Sequence, residues 1–233
     1  WAIIKSKHDT FFKYLFDYGN YETVLIGLWN TVIIAVCGLL IGIVIGSFVA
    51  ALKVAGGRNK IVKAFSYVGD AYTGLFRGTP IIVQLMIFHF IIFRGSGINT
   101  LLEAVIVFGL NSGAYVAEIM RGGILSVDIG QTEAGRTLGL SYTTTMFRVV
   151  IPQAIKNVIP TLGNELIALT KDTSVAGYVA TMDLNAAFTA IAGATYDYLV
   201  PYLFLALVYL VLVILITVLI RFVERRMRKS ERR

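Results

Sequence analysis

Cysteine, proline and charged residues are all scarce in this chain. Its 233 residues include one cysteine and four prolines, and only 15% of them are charged. The lone Cys37 excludes an intrachain disulfide and leaves the redox compartment undetermined. With 57% hydrophobic residues and a mean hydropathy of +0.75, the composition excludes an ordinary soluble domain, in which about 45–50% of residues are apolar. The composition indicates an integral membrane protein.

The chain also lacks the motifs of several enzyme classes. It has no Gly-x-x-x-x-Gly-Lys-Ser/Thr phosphate loop, no His-Glu-x-x-His pair and no Cys/His cluster at metal-ligand spacing. Its two histidines stand apart, and His89, in an apolar run, is expected to be packed or hydrogen-bonded. We therefore predict no catalytic residue, no metal site and no cofactor bound by this chain. The net charge of +7 does not favour nucleic acid as a partner, because the basic residues flank apolar segments.

Five apolar segments approach the roughly 20 residues that cross a bilayer as a helix. We therefore predict an all-α membrane protein, with residues 1–233 forming a single domain of five transmembrane helices in the lipid bilayer. The predicted spans cover residues 23–52, 72–93, 100–119, 152–171 and 198–222. Residues 60–70 are expected to form an interfacial helix that leads into the second span. Residues 1–22 mix charged and aromatic side chains, which predicts an amphipathic interfacial segment rather than a signal peptide.

Basic residues concentrate in alternate loops, and this pattern predicts the orientation of the chain. Lysine and arginine are frequent after the first and third spans and in a basic tail, residues 221–233, but rare in the two other loops. The positive-inside rule places the basic loops and the C-terminus in the cytoplasm and the N-terminus outside. The lysines of residues 1–22 are the exception, and acidic residues accompany them. The loop after the third span is therefore predicted to be cytoplasmic.

A polar stretch within this loop is the most informative part of the sequence. Residues 133–139 read Glu-Ala-Gly-Arg-Thr-Leu-Gly, and Ile-Pro follows at 151–152. The carboxylate of Glu133 suits a helix N-terminus, and Gly139 can end a short helix in a left-handed conformation. Pro152 can start the next helix, because a first turn does not need the N–H that proline lacks. The stretch predicts a short helix, a turn and a new helix.

This stretch resembles the EAA loop of ABC-importer permeases, which runs Glu-Ala-Ala, three residues, Gly, nine residues, Ile, one residue, Leu-Pro. Every spacing is kept here, and Gly135, Val149 and Ile151 depart from the pattern in residue type alone. In that family the loop contacts a separate ATPase, so the resemblance implies a cytoplasmic coupling loop over residues 126–151. The implied coupling residues are Glu133, Ala134, Gly135, Arg136 and Gly139.

The resemblance also implies an assembly. Its expected members are an ATP-binding cassette ATPase subunit, which would bind ATP and Mg, and a second permease subunit, expected to be a copy of this chain. An extracytoplasmic amino-acid-binding protein would deliver the amino-acid substrate. The implied location is the inner (plasma) membrane of a prokaryote.

A second resemblance narrows the substrate class. Residues 76–80 read Phe-Arg-Gly-Thr-Pro and Gln84 follows, which resembles the matching segment of polar amino-acid permeases within the ABC importers. An arginine near hydrocarbon must pair, snorkel or line water. Arg77 is therefore expected to pair with an acid or anchor its helix near the cytoplasmic interface, or else to act in gating or line the substrate path. Pro80 permits a bend with freed carbonyls.

Polar groups recur at helical spacing inside the third and fourth spans, in segments that resemble the same permeases. Glu118 could simply pair with Arg121 one turn away. If the polar faces converge, they line a pathway in which acids and amides beside a base suit a zwitterion, and acids slightly outnumber bases, which leans toward a cationic side chain. The predicted pathway residues are Gln84, Asn111, Tyr115, Glu118, Asn164, Glu165 and Thr170.

The resemblance as a whole implies a fold like that of type I ABC-importer permeases. The implied function is the membrane-spanning permease subunit of an ATP-driven amino-acid importer. One alternative is an ion-coupled secondary amino-acid transporter, which usually contains internal repeats that are not evident here. Another is a non-transporting membrane assembly subunit, which would need no polar residues deep inside its spans.

Overall fold

The computed structural model describes residues 2–55 and 60–229. Residue 1, the loop residues 56–59 and the last four residues of the predicted basic tail lie outside the described residues. The regular structure of the described part is helical. The α-helices are α1 Ala2–Phe16, α2 Tyr21–Ala55, α3 Lys60–Gly78, α4 Ile81–Ile87, α5 Thr100–Leu125, α6 Ile129–Thr137, α7 Tyr142–Thr145, α8 Ile151–Asp172, α9 Leu184–Thr195 and α10 Leu199–Lys229.

Three of the described helices, α2, α5 and α10, are long and apolar enough to cross a membrane by themselves. Two further spans arise only if a bent pair of helical stretches is counted as one, namely α3 with Ile81–Ile92, and Tyr142–Val179 with α9. The predicted five spans are thus the upper count. The predicted second span was wrong in its start, because α3 runs without a break from Lys60 and ends before Pro80. No separate interfacial helix precedes it in the described residues.

The chain divides into two compact units, each assembled from three stretches of sequence. Unit 1 contains the residues up to Gly38, together with Pro80–Phe108 and Ile167–Ile216. Unit 2 contains Leu39–Thr79, Gly109–Leu166 and the residues from Thr217 onward.

In unit 1, the N-terminal helix α1 is packed onto the protein. Phe11 is only 1% exposed and joins a cluster of apolar side chains from α9 and α10. Its ring stacks on Phe204 at a centroid distance of 4.9 Å. Lys7 Nζ lies 3.1 Å from Asp197 Oδ1. Because burial of a phenylalanine stabilises by about 1.5–3 kcal/mol, the predicted amphipathic segment is held by one face to the rest of the unit. The last residue of α1, Phe16, is 57% exposed.

In unit 2, small residues allow α2 and α5 to approach closely. Glycines at 38, 42 and 46 form a small-xxx-small stripe, which predicts either packing within the subunit or a dimer contact. A Cβ added at Gly42 would lie 2.7 Å from Ser112 Oγ, and one at Gly46 would lie 2.7 Å from the backbone nitrogen of Ala117. For these two glycines, packing within the subunit is confirmed.

Candidate functional site

The predicted coupling loop, residues 126–151, contains α6, and its first helical residue is Ile129 rather than Glu133. Asp128 caps the helix, because its Oδ1 accepts a hydrogen bond of 2.7 Å from the N–H of Gly130. Glu133 therefore lies in the middle of α6, and the predicted placement of its carboxylate at the helix N-terminus was wrong. Its side chain is exposed, so it is available to a partner.

The other end of α6 has a fixed geometry centred on a glycine. Gly139 has φ +78°, as predicted, in the left-handed region that glycine adopts at little cost. The N–H of Leu140 donates to the carbonyl of Gly135, and the N–H of Gly139 donates to the carbonyl of Arg136, both at 3.0 Å. These two bonds form a Schellman motif, which satisfies carbonyls that the helix end would leave open. Just before this turn, Leu138 is 79% exposed.

The next helical stretch starts earlier than predicted. Ser141 caps it, with its Oγ accepting a 3.2 Å hydrogen bond from the N–H of Thr144. From Tyr142 the chain stays helical through a π-helical turn, Met146–Val150, directly into α8. The prediction that Pro152 restarts the helix was therefore wrong. Instead, the π-helical turn changes the hydrogen-bond register just before Pro152, which has no N–H to donate.

Gly135 makes a close contact inside the loop. It is buried, and a Cβ added there would lie 2.6 Å from Thr145 Cγ2 and 2.8 Å from Thr145 Oγ1. Thr145 is itself fully buried, and its Oγ1 donates to the carbonyl of Ser141 at 3.0 Å. The EAA pattern has alanine at this position. The glycine here lacks a Cβ and so leaves room for the side chain of Thr145. The exposed members of the predicted coupling set are Glu133, Ala134, Arg136 and Gly139.

We expect Gly135→Ala to loosen the loop, because overpacking of about 1–3 kcal/mol exceeds the roughly 1 kcal/mol gained in helix propensity. Trypsin cleavage after the exposed Arg136 should become several-fold faster in detergent-purified protein, since cleavage reports the open population. The double variant Gly135→Ala/Thr145→Ala removes both close contacts and should return cleavage toward the wild-type rate. Equal cleavage of the single variant and the wild type would contradict the packing argument.

Two side-chain contacts fasten the loop to α8 within unit 2. Asn157 Nδ2 donates to Ser126 Oγ at 2.9 Å, where the loop leaves α5. Gln153 Nε2 donates to Gln131 Oε1, on α6, at 3.3 Å. The start of the loop and α6 are therefore each joined to the first turns of α8 by a side-chain contact in addition to the chain itself.

Asn111 supplies a hydrogen bond that Pro80 cannot donate. It is buried, and its Nδ2 donates to the carbonyl of Phe76 at 3.2 Å. In a continued helix this carbonyl would accept from the N–H of residue 80, which proline lacks. The neighbouring carbonyl of Leu75 accepts from Thr79 Oγ1 at 2.9 Å. An amide this deep in a span must either bond across helices or face a cavity, and Asn111 bonds across helices.

Arg77 lies over the ring of Tyr115 in unit 2. The guanidinium carbon is 5.3 Å from the ring centroid, and both side chains are exposed. Among the described residues, Arg77 forms no ion pair with a carboxylate. Pairing with an acid of the described chain, one of its predicted roles, is therefore not observed.

A largely buried lysine connects three helices in unit 2. Lys53 Nζ on α2 lies 2.6 Å from Glu118 Oε1, 2.8 Å from Asp70 Oδ1 and 3.1 Å from Thr73 Oγ1, so all three of its N–H donors have acceptors. Arg121 donates to the other oxygen, Glu118 Oε2, at 2.8 Å and 3.1 Å. The Glu118–Arg121 pair predicted as one alternative is thus confirmed. Lys53 and Asp70 were missed, because no local spacing connects them to Glu118.

The remaining predicted pathway residues are distributed over both units. In unit 2, Glu165 Oε1 accepts from Ser112 Oγ at 3.0 Å, and Asn164 beside it on α8 is exposed. Gln84 and Thr170 belong to unit 1, where both are buried. Their roles along a pathway stay predictions.

A carboxylate in unit 1 also escaped the sequence analysis. Glu103 is buried in the first turn of α5, and its Oε2 lies 2.6 Å from His89 Nδ1. The expectation that His89 is hydrogen-bonded is confirmed. The available sequence signal was a carboxylate near a helix N-terminus, where it is favoured.

Known proteins resemble the chain over most of its length. The family model described as "Binding-protein-dependent transport system inner membrane component" matches residues 38–229. The arginine transport system permease protein ArtQ of Bacillus subtilis (strain 168) is 37% identical over 210 residues, which are 89% of this chain and 94% of ArtQ. The putative glutamine transport system permease protein GlnP of Rickettsia bellii (strain RML369-C) is 36% identical over 219 residues, 93% of this chain and 98% of GlnP.

A solved structure shares the fold. It is described as the crystal structure of an amino acid ABC transporter with histidines, and it superposes with a TM-score of 0.81 at 35% sequence identity. The match covers 91% of this chain and 98% of that chain. The fold is thus that of type I ABC-importer permeases, as predicted. From the family model and the two permeases it follows that this chain belongs to the binding-protein-dependent transport system inner membrane components, as the spacing of residues 133–152 predicted.

Proposed function

We propose that this permease forms the translocation pathway of an ATP-driven amino-acid importer and is driven through its coupling loop. The observation that carries the proposal is the construction of α6. The helix is capped by Asp128 at one end and closed by the Schellman turn at Gly139 at the other, and it leaves the side chains of Glu133 and Arg136 exposed. A short helix with two fixed ends can transmit a push or pull from a docked partner without unwinding.

We propose that the partner at α6 is a separate ATPase subunit, which binds ATP and Mg and carries out hydrolysis. A second copy of this chain would complete the membrane part, and an external binding protein would deliver the amino acid. Membership in a binding-protein-dependent family supports this set of partners. Closure of the ATPase would move α6, and the Ser126–Asn157 and Gln131–Gln153 contacts would carry the movement to α8.

The proposed orientation follows from the same partner. ATP is cytoplasmic, so the coupling loop and the C-terminal tail would lie in the cytoplasm and the N-terminus outside. The basic loops support this arrangement through the positive-inside rule. The proposed location is the inner (plasma) membrane of a prokaryote, since the two permeases compared above come from Bacillus and Rickettsia.

We propose a polar amino acid as the substrate. The relatives named above carry arginine and glutamine in their names. The predicted lean toward a cationic side chain loses one of its supports, because the carboxylate of Glu118 is matched by Lys53 and Arg121. The other predicted carboxylate, Glu165, could still favour a cationic side chain, but it also accepts a hydrogen bond from Ser112.

The test is reconstitution with the ATPase and binding protein that we expect to be encoded beside this gene. The three components should co-purify or associate, and proteoliposomes containing ATP should accumulate the amino acid only when the loaded binding protein is outside. Uptake that continues without ATP while an ion gradient is present would instead identify a secondary transporter. Unchanged uptake after alanine substitution of Asn111 and Glu165 would favour an assembly subunit.

A further inference from the structure

Arg77 places a positive charge on α3, in a bent pair of helices that can count as one membrane span. Its guanidinium lies over Tyr115, which is about 15 Å from Leu125 and about 22 Å from Thr100 along α5, at 1.5 Å per residue. The hydrocarbon core of a bilayer is about 30 Å thick and α5 is long and apolar enough to cross it, so Tyr115 is expected inside the apolar layer, about one helical turn from Glu118. This depth argues against the predicted role of Arg77 as an interfacial anchor, and also against a lipid phosphate as its counter-charge.

No described carboxylate of the chain neutralises this charge. The two acids of the Lys53 cluster in unit 2 pair with other bases, Asp70 with Lys53 and Glu118 with Lys53 and Arg121. Arg77 itself is exposed, and its recorded neighbour is the face of an aromatic ring. A charge inside a span requires water or a counter-ion, and since no described carboxylate pairs with Arg77, its exposed guanidinium can be reached by either one from outside the chain.

The backbone that carries Arg77 is held rigidly. The carbonyls on its N-terminal side, those of Leu75 and Phe76, are bonded by Thr79 Oγ1 and Asn111 Nδ2. The guanidinium lies over the ring of Tyr115, and the Arg77 side chain is exposed, so a ligand can reach its fork of N–H groups. Such a fork binds carboxylates with two parallel hydrogen bonds, which a lysine ammonium cannot reproduce.

We propose that Arg77, oriented on Tyr115, binds the α-carboxylate of the amino acid as it passes through the permease. The proposal rests on the proposed function and adds a residue to it. Every α-amino acid carries this carboxylate, so the contact recognises the class of substrate and leaves selection of the side chain to other groups. It also gives Asn111 a defined role: its hydrogen bond to the carbonyl of Phe76 positions the end of α3 that carries Arg77.

The test measures binding to the purified permease–ATPase complex without the binding protein. The probes are L-arginine and L-glutamine, each compared with its α-amide, which keeps the side chain and lacks the carboxylate. The wild-type complex should prefer the amino acid over its amide by about tenfold or more, the range for a hydrogen bond to a charged group. Arg77→Met should reduce this preference to near unity, and Arg77→Lys should restore part of it.

A matched control is available in Arg94→Met, which removes another exposed arginine, in unit 1, and should leave the preference unchanged. Wild-type complex that transports the amino acid but binds the amide equally well overturns this inference and leaves the proposed function standing. The same holds if Arg77→Met lowers recovery of a permease dimer without changing the preference, which would identify a carboxylate of the second subunit as the partner. Absence of both uptake and binding in the wild type overturns both proposals.

Discussion

Replacement of Gly139 by valine is expected to lower ATP-driven uptake about tenfold or more while the permease remains inserted in the membrane. Gly139 has φ +78° and closes the Schellman turn of α6. A left-handed conformation costs an L-residue about 1–2 kcal/mol, and a β-branched side chain is among the least tolerant. Since about 1.4 kcal/mol changes an equilibrium tenfold, this strain lowers the ratio of docking-competent to other loop conformations by about tenfold. The measurement is the number of amino acids transported per ATP hydrolysed in proteoliposomes.

Two variants separate coupling from general strain. Gly19 also has a positive φ, +72°, no neighbour within 4 Å of an added Cβ, and a place just after a helix, so Gly19→Val applies the same backbone strain far from α6 in sequence. It should leave the transport ratio unchanged. Gly139→Asn should be intermediate, because asparagine tolerates the left-handed region. Normal uptake by Gly139→Val, or an equal loss in Gly19→Val, would refute the role of this turn.

The second large effect is expected from Lys53→Met. The side chain of Lys53 is 10% exposed, and its ammonium is bonded to Asp70, Thr73 and Glu118. Methionine removes the charge at similar length. Removing one partner of a buried ion pair costs about 3–5 kcal/mol. Because Asp70 is 55% exposed and Glu118 retains Arg121, we expect a loss of roughly 3 kcal/mol in the free energy of unfolding, at the lower limit of that range. Thermal unfolding of the purified protein measures it.

Lys7→Met is the matched control. Lys7 also pairs with a buried aspartate, Asp197, but its own side chain is 43% exposed, and exposed pairs contribute about 0–1 kcal/mol. It should therefore lower stability much less than Lys53→Met. Lys53→Arg should retain most of the stability, since it keeps the charge. If Lys53→Met and Lys7→Met had the same small effect, the cluster of unit 2 would not hold α2, α3 and α5 together.

The boundaries of α6 show where local sequence reasoning works and where it fails. Gly139 was placed correctly, because a glycine after a short polar helix is itself the signal for a left-handed end. The start was placed at Glu133, although Asp128 directly before Ile129 carries the stronger signal of a capping side chain. Pro152 was placed at the start of a helix because proline is favoured in a first turn. A π-helical turn has no simple sequence signature, and it allowed the helix to begin at Tyr142 instead.

The sequence by itself determined the membrane class, the approximate positions of the spans and the family, because these follow from composition, run length and fixed spacing. It also determined that Arg77, Asn111 and Glu118 needed partners, since polar groups in hydrocarbon must be satisfied. Only the tertiary structure decided which partners they have. Glu118 meets Lys53 from α2, and Asn111 meets the carbonyl of Phe76 from α3. Such pairs depend on how helices distant in sequence pack, and no local pattern encodes that packing.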